Sequence, residues 1–199
     1  MMDNKKTQID PRILRTRKLL RDALIELIQE MDIQKISVNR LAERATINRV
    51  TFYLHYRDIP DMLEKMADDM IEDISMVLDQ TSPNYKAGEK QDWTMMVRFL
   101  EHIAEHANFY KVILTSKRIP IFRDRLLVFL QDIIVARIEK RGSSFLAAGV
   151  QKDILVWYDS AALIGTIIAW LQNDMPYTPS FLVKQFALFH HERLDMTGD

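Results

Sequence analysis

The sequence predicts an all-α protein, and three observations carry that prediction. Apolar residues recur at spacings of three and four through most of the chain, and the 5 Gly and 6 Pro among 199 residues fall almost only between such stretches. No window alternates apolar with polar residues in the manner of a half-buried strand. Composition agrees with a folded protein: 48% of residues are hydrophobic and 28% charged. A chain of this length can bury a substantial core in one or two domains. The absence of cysteine excludes a disulfide framework and a thiolate metal site. The formal net charge of -1 argues at first against a nucleic-acid partner.

The first helix is expected from Pro11 to Glu30, with Asp10 as its cap and Pro11 in its first turn; Leu20, Leu24, Leu27, Ile28 and Met31 lie on one face. A second, short helix follows within Ser37 to Ala45, capped by Ser37. Asn48 can cap a third over Arg49, Val50, Thr51, Phe52 and Tyr53, with Phe52, Leu54, Leu41 and Ala42 expected in a small core. Asp58 and Pro60 then open a long helix whose stripe runs from Met62 through Leu63, Met66, Ala67, Met70, Ile71, Ile74 and Val77 to Leu78. Residues 80–88 are rich in turn formers and read as a loop. Beyond it, helices are expected at about 92–106, 107–116, 120–141, 150–173 and 179–194, broken at Asn108, Pro120, Gly142 to Ser144, and Met175 to Pro179. The organisation expected is a domain over 10–57 and a second over 58–199, with 58–79 as a connecting helix.

No membrane segment is expected. Met1 to Ile9 mixes Asp3, Lys5, Lys6 and Gln8 with no apolar run behind it. The most apolar stretch, Ala161 to Leu171, falls short of the roughly 20 residues that span a bilayer and reads as a buried helix. The cytoplasm is the default location.

Resolving charge along the chain changes the opening inference. Residues 1–57 hold 12 Lys and Arg against 7 Asp and Glu, a net of +5, while residues 58–80 hold 1 against 8, a net of -7. An acidic helix face, with Asp68, Asp69, Glu72 and Asp73, therefore masks a basic N-terminal segment. Such asymmetry points weakly to nucleic acid. The pair of short helices is the stronger signal, because a helix-turn-helix lays its second helix in the major groove and braces it with the first. Arg49 begins that second helix, where an arginine can bond guanine O6 and N7 together. Asn39, Asn48, Thr51, Tyr53 and His55 can donate to phosphates, which fixes register without reading sequence.

Residues 12–66 resemble the N-terminal DNA-binding domain of the tetracycline-repressor (TetR) family of bacterial transcription regulators. The resemblance is carried by Thr16-Arg-Lys-Leu-Leu-Arg-Asp-Ala-Leu24, by Ser37-Val-Asn-Arg-Leu-Ala-Glu-Arg-Ala45, by Asn48-Arg-Val-Thr-Phe-Tyr-Leu-His-Tyr-Arg-Asp58 and by Met62-Leu63. Thr46 stands where that family usually has the turn glycine, and Ile59 where a phosphate-binding lysine is common. The segment Phe99 to Leu114 also resembles C-terminal regions of regulators from low-GC Gram-positive bacteria. The resemblance implies an N-terminal three-helix DNA-binding domain and a C-terminal helical domain for ligand binding and dimerisation. It implies a homodimer, most often a repressor, on a palindromic double-stranded DNA operator, released by a small-molecule effector. The expected DNA-binding set is Ser37, Asn39, Asn48, Arg49, Val50, Thr51, Tyr53, His55 and Arg57. For the effector, candidates are Met66, Met70, His102, His106, Tyr110 and Trp157. No cofactor and no metal are expected. The dimer would use the last two helices, where Ala161, Gly165 and Ala169 allow another helix to approach closely; the same residues suit a contact within one chain.

Two other classes compete. His102-Ile-Ala-Glu-His106 spells the H-x-x-E-H of zinc peptidases, with both imidazoles on one helix face and Glu105 able to polarise water. A zinc-dependent hydrolase would need a third protein ligand, which no recognisable motif supplies, so the chain is not expected to be an enzyme. An interaction protein that does not bind DNA would explain the helices but not the Arg49 segment.

Overall fold

Caps and turns set the helix boundaries seen in the computed structural model, which describes residues 10–79 and 89–195. Helix α1 spans Pro11–Glu30, and the Asp10 carboxylate accepts from the Arg12 backbone N–H at 2.8 Å. A 3-10 turn at Ile33–Lys35 leads to α2 (Val38–Arg44), where Ser37 Oγ accepts from the Arg40 N–H. Helix α3 (Arg49–Tyr53) starts with Asn48 Oδ1 accepting from the Val50 N–H at 2.8 Å. Each cap satisfies a donor that no helical carbonyl can reach.

Helix α4 (Ile59–Asp79) begins with a reciprocal pair. Asp58 accepts from the Asp61 N–H at 2.8 Å, and the Asp61 carboxylate accepts from the Arg57 N–H at 2.9 Å. Then follow α5 (Glu89–Glu105), α6 (Ala107–Thr115), α7 (Ile121–Arg141), the single turn α8 (Ser144–Ala147), α9 (Lys152–Gln172) and α10 (Pro179–Asp195). All regular elements among the described residues are helical. The expected loop at 80–88 lies outside the described residues.

The chain forms two compact units, and the division falls inside α4 between Met66 and Ala67. In the first unit α2 packs on both α1 and α3. Leu20, Leu24, Leu27, Leu41 and Phe52 are at most 1% exposed there. Burying each such side chain contributes about 1.5–3 kcal/mol, which lets so small a unit hold α3 rigidly. Arg44 of α2 grips Glu30 of α1 through two hydrogen bonds of 2.7 and 2.6 Å and reaches Glu26 at 3.2 Å. That fork lowers the Glu30 carboxyl below its ordinary value and raises the guanidinium above its own.

In the second unit α9 is central, packing on α7 and α6, while α10 packs on α5. Ile134 and Ile138 of α7 meet Leu155 and Val156 of α9 in one buried cluster, with Phe145 and Leu146 of α8 against it.

Two expectations need correction. Leu54 is 77% exposed, not part of the small core; α3 ends at Tyr53, and a residue two positions after buried Phe52 points to the other side of the turn. The stretch 161–171, expected as a buried helix, belongs to α9, which by length and composition alone is apolar enough to cross a membrane. Only one face of it, including Leu155, Ser160, Ile164 and Ile167, lies inside the unit.

Candidate functional site

The turn before α3 has the hydrogen bonds of a Schellman motif. Ile47 N–H donates to the Ala42 carbonyl at 2.9 Å and Thr46 N–H to that of Glu43 at 3.1 Å. This geometry requires a left-handed residue between them, and Thr46 takes it at φ +55°. A β-branched residue adopts that conformation at a cost. The turn thus keeps its shape without glycine, and α3 leaves it in the helix-turn-helix arrangement.

On α3, Phe52 is fully buried and stacks edge to face with Tyr53 and tilted against Tyr56. Its burial turns Arg49, Val50 and Tyr53 outward: Val50 is 63% and Tyr53 49% exposed, and Arg49 is exposed with its guanidinium over the Tyr53 ring. Asn48 and Asn39 are exposed and Thr51 half-buried, while Ser37 and Asn48 spend one oxygen each on capping. Arg57 donates from Nε to Asp61 at 3.2 Å yet stays 79% exposed, so most of its fork faces solvent. Asp61 also takes Lys65 Nζ at 3.0 Å, and the three contacts hold its carboxyl below the ordinary value. Lys65 bonds the His55 carbonyl as well. Burial, with Arg17 and Lys65 nearby, pushes the His55 imidazole below its usual value. That environment favours the neutral ring, which has a single N–H to offer. Leu54 joins the exposed face beside Val50, one turn away. The α3 pattern alone assigned it inward, so only the end of the helix reveals it.

Two cavities of the second unit share a wall. One, of about 320 Å³, is lined by Leu78, Trp93, Met95, Met96, Phe99, Leu130, Ile133, Ala136, Arg137, Lys140 and Leu163. The other, of about 360 Å³, shares Trp93, Met96, Arg137 and Leu163 and adds Tyr158, Asp159, Ala162, Thr166, Phe186 and Phe189. Both are mostly apolar with few polar groups, the usual character of a small-molecule site.

Residues 91–191 match the family model of a TetR-type transcriptional regulator C-terminal region. The chain belongs to the TetR family of transcriptional regulators. Among curated relatives it is similar to the uncharacterized HTH-type transcriptional regulator YxbF of Bacillus subtilis strain 168, 26% identical over 168 residues. That match covers 83% of this chain and 42% of YxbF, so the chain spans less than half the length of that relative. Among solved structures it is similar to a TetR transcriptional regulator of Streptococcus agalactiae, with 22% identity, a TM-score of 0.66 and coverage of 89% and 94% of the two chains. It is also similar to FadR of Bacillus subtilis, solved in complex with stearoyl-CoA, with 16% identity, a TM-score of 0.58 and coverage of 84% and 94%. At these identities the two structures show the shared fold.

Of the effector candidates in this TetR-family regulator, none lines either cavity. Met66, Met70 and Tyr110 are at most 3% exposed, packed in the interior, and Trp157 is 59% exposed on the outer face of α9. His102 is half-buried and its Nε2 stands 2.9 Å from the Tyr110 hydroxyl; His106 is exposed, with its ring 4.8 Å from that of His102. One of the two His102 ring nitrogens is therefore engaged. No group of three or more His, Asp or Glu able to hold a metal occurs among the described residues. The cavity-lining residues Arg137, Asp159 and Phe186 escaped the sequence reading, because lining is decided by how α5, α7, α9 and α10 meet.

Proposed function

We propose that this TetR-family regulator acts as a homodimer on a two-fold symmetric operator, laying α3 of each subunit in a major groove, and that a small molecule in the second unit weakens the complex, making it a repressor. The observation that carries the reading is α3 itself: Phe52 locks it to the core while Arg49, Val50 and Tyr53 stand outward. Arg49 reads guanine, and Val50 with Leu54 supplies apolar contact to thymine methyl groups. Tyr53, Asn39, Asn48, Thr51, Ser37, His55 and Arg57 position the unit on phosphate. Half-site centres lie about 34 Å, one helical turn, or a multiple of it, apart.

The dimer is supported by an uncovered face. Ile154, Trp157, Ala161, Gly165 and Ala169 are all exposed at helical spacing along α9, and α10 exposes Phe181 and Leu188. A monomer leaves this apolar stripe in water. Ligand response is supported by the two cavities, and by the stearoyl-CoA held by FadR. The ligand acts by binding the DNA-competent state less well than the other. Sedimentation at micromolar concentration tests the assembly: the reading requires twice the 23.4 kDa chain mass, and a species at the chain mass overturns it.

A further inference from the structure

Asp159 of α9 has a side chain nine-tenths buried, and its Oδ2 is sealed from water with no hydrogen-bond partner. Arg137 of α7 places Nη2 3.7 Å from that oxygen, close enough to balance the charge and too far to be a hydrogen bond. Buried acceptors are rarely left unmet, and each exception calls for an explanation such as an absent partner. Both residues wall the 360 Å³ cavity, together with the aromatic side chains of Trp93, Tyr158, Phe186 and Phe189.

The ligand response proposed above is silent on chemistry; resting on it, we propose that this cavity takes an uncharged amphipathic molecule whose hydroxyl or amide N–H donates to the Asp159 carboxylate, which turns its buried oxygen toward the cavity to meet it, while the molecule's apolar body lies against the aromatic walls. Charge decides against the alternatives. Arg137 and Asp159 already neutralise one another, so a cationic ligand would bring a second positive charge beside Arg137 and an anionic one a second negative charge beside Asp159. What the pair lacks is a donor. The apolar body has room to extend, since Trp93, Met96, Arg137 and Leu163 also wall the smaller cavity.

The test uses four probes with one decyl chain, namely 1-decanol, decyl methyl ether, decanoate and decylamine, titrated into the full chain by calorimetry. Decanol is expected to bind about tenfold more tightly than the ether, the effect of one hydrogen bond to a charged acceptor. In Asp159→Leu that preference should fall to about one, with decanol and ether equal. The wild-type ratio stands as a test even if the variant fails to fold. Equal binding of decanol and ether overturns the proposal, as does binding of none of the four. Tightest binding of decanoate overturns it in favour of an anionic head group on Lys140 and Arg137; tightest binding of decylamine does so in favour of a cation. Operator affinity measured with and without bound decanol separates the two readings, because a ligand that binds through Asp159 without changing that affinity removes the ligand response and leaves the site.

Discussion

Arg49 lies one turn before Tyr53 on α3, its guanidinium carbon 5.7 Å from the centre of the tyrosine ring. The ring packs against the arginine at the N-terminal end of the helix, the end by which the recognition helix of a helix-turn-helix meets base edges. Arg49→Ala should weaken operator binding by about 1–3 kcal/mol and relax preference at one base pair. Tyr53→Phe keeps the ring under Arg49 and removes the hydroxyl, so it should weaken binding to all sequences by similar factors. Competition titrations on single-base operator variants check both: unchanged affinity for Arg49→Ala, or a Tyr53→Phe loss confined to one base, contradicts these roles.

Thr46 holds the left-handed position of the turn at φ +55° and is exposed. Glycine there escapes the steric cost of a β-branched residue, about 1–2 kcal/mol, and loses part of the gain to its freer unfolded chain. Thr46→Gly should therefore stabilise the protein by about 0.5–1 kcal/mol. Denaturant unfolding gives the answer, and a destabilised variant would mean that the threonine side chain has a stabilising role in the turn.

His102 and His55 both sit below their ordinary pKa. Burial is the main cause for each, with His106 adding to it at His102 and Arg17 and Lys65 at His55; Asp73 and Glu105 pull His102 the other way. The folded protein binds these protons less readily than the unfolded chain does. Their contribution to stability is whole above about pH 6.5 and is lost as pH falls through the folded values. Each contributes a slope of at most about 1.4 kcal/mol per pH unit. Thermal unfolding between pH 7.5 and 5 should show falling stability, with a shallower slope in His102→Gln. An identical slope in that variant excludes His102 as a source.

At Gly165 an added Cβ would meet nothing within 4 Å in the chain. Gly165→Ala should stabilise α9 by about 1 kcal/mol through helix propensity alone and leave a dimer intact. Gly165→Leu should dissociate that dimer while the monomer folds normally. Sedimentation of both variants decides it: a dimeric Gly165→Leu protein takes α9 out of the interface.

Local chemistry made much of the first unit legible. Asp10 with Pro11, Ser37 and Asn48 are capping signals that need no tertiary information, and they fall where α1, α2 and α3 begin. Leu54 was misplaced because periodicity was carried past a helix of only five residues, too short for its pattern to announce its end. The 3-10 turn at Ile33–Lys35 and the single turn α8 are likewise shorter than any periodic signal. In the second unit the helices were expected near where α5, α7 and α9 lie, but one apolar face supplies both packed core and cavity wall. Only the packing distinguishes Ile134, which is buried, from Ile133, which lines a cavity.

The central claim is that two copies of α3 read two related half-sites. Selection of bound sequences from a random double-stranded DNA pool by the full chain tests it most directly. The account predicts an enriched palindrome whose half-sites carry a guanine dependent on Arg49 and lie about one helical turn, or a multiple, apart. Enrichment of a single unrepeated site, or of no sequence at all, would contradict it.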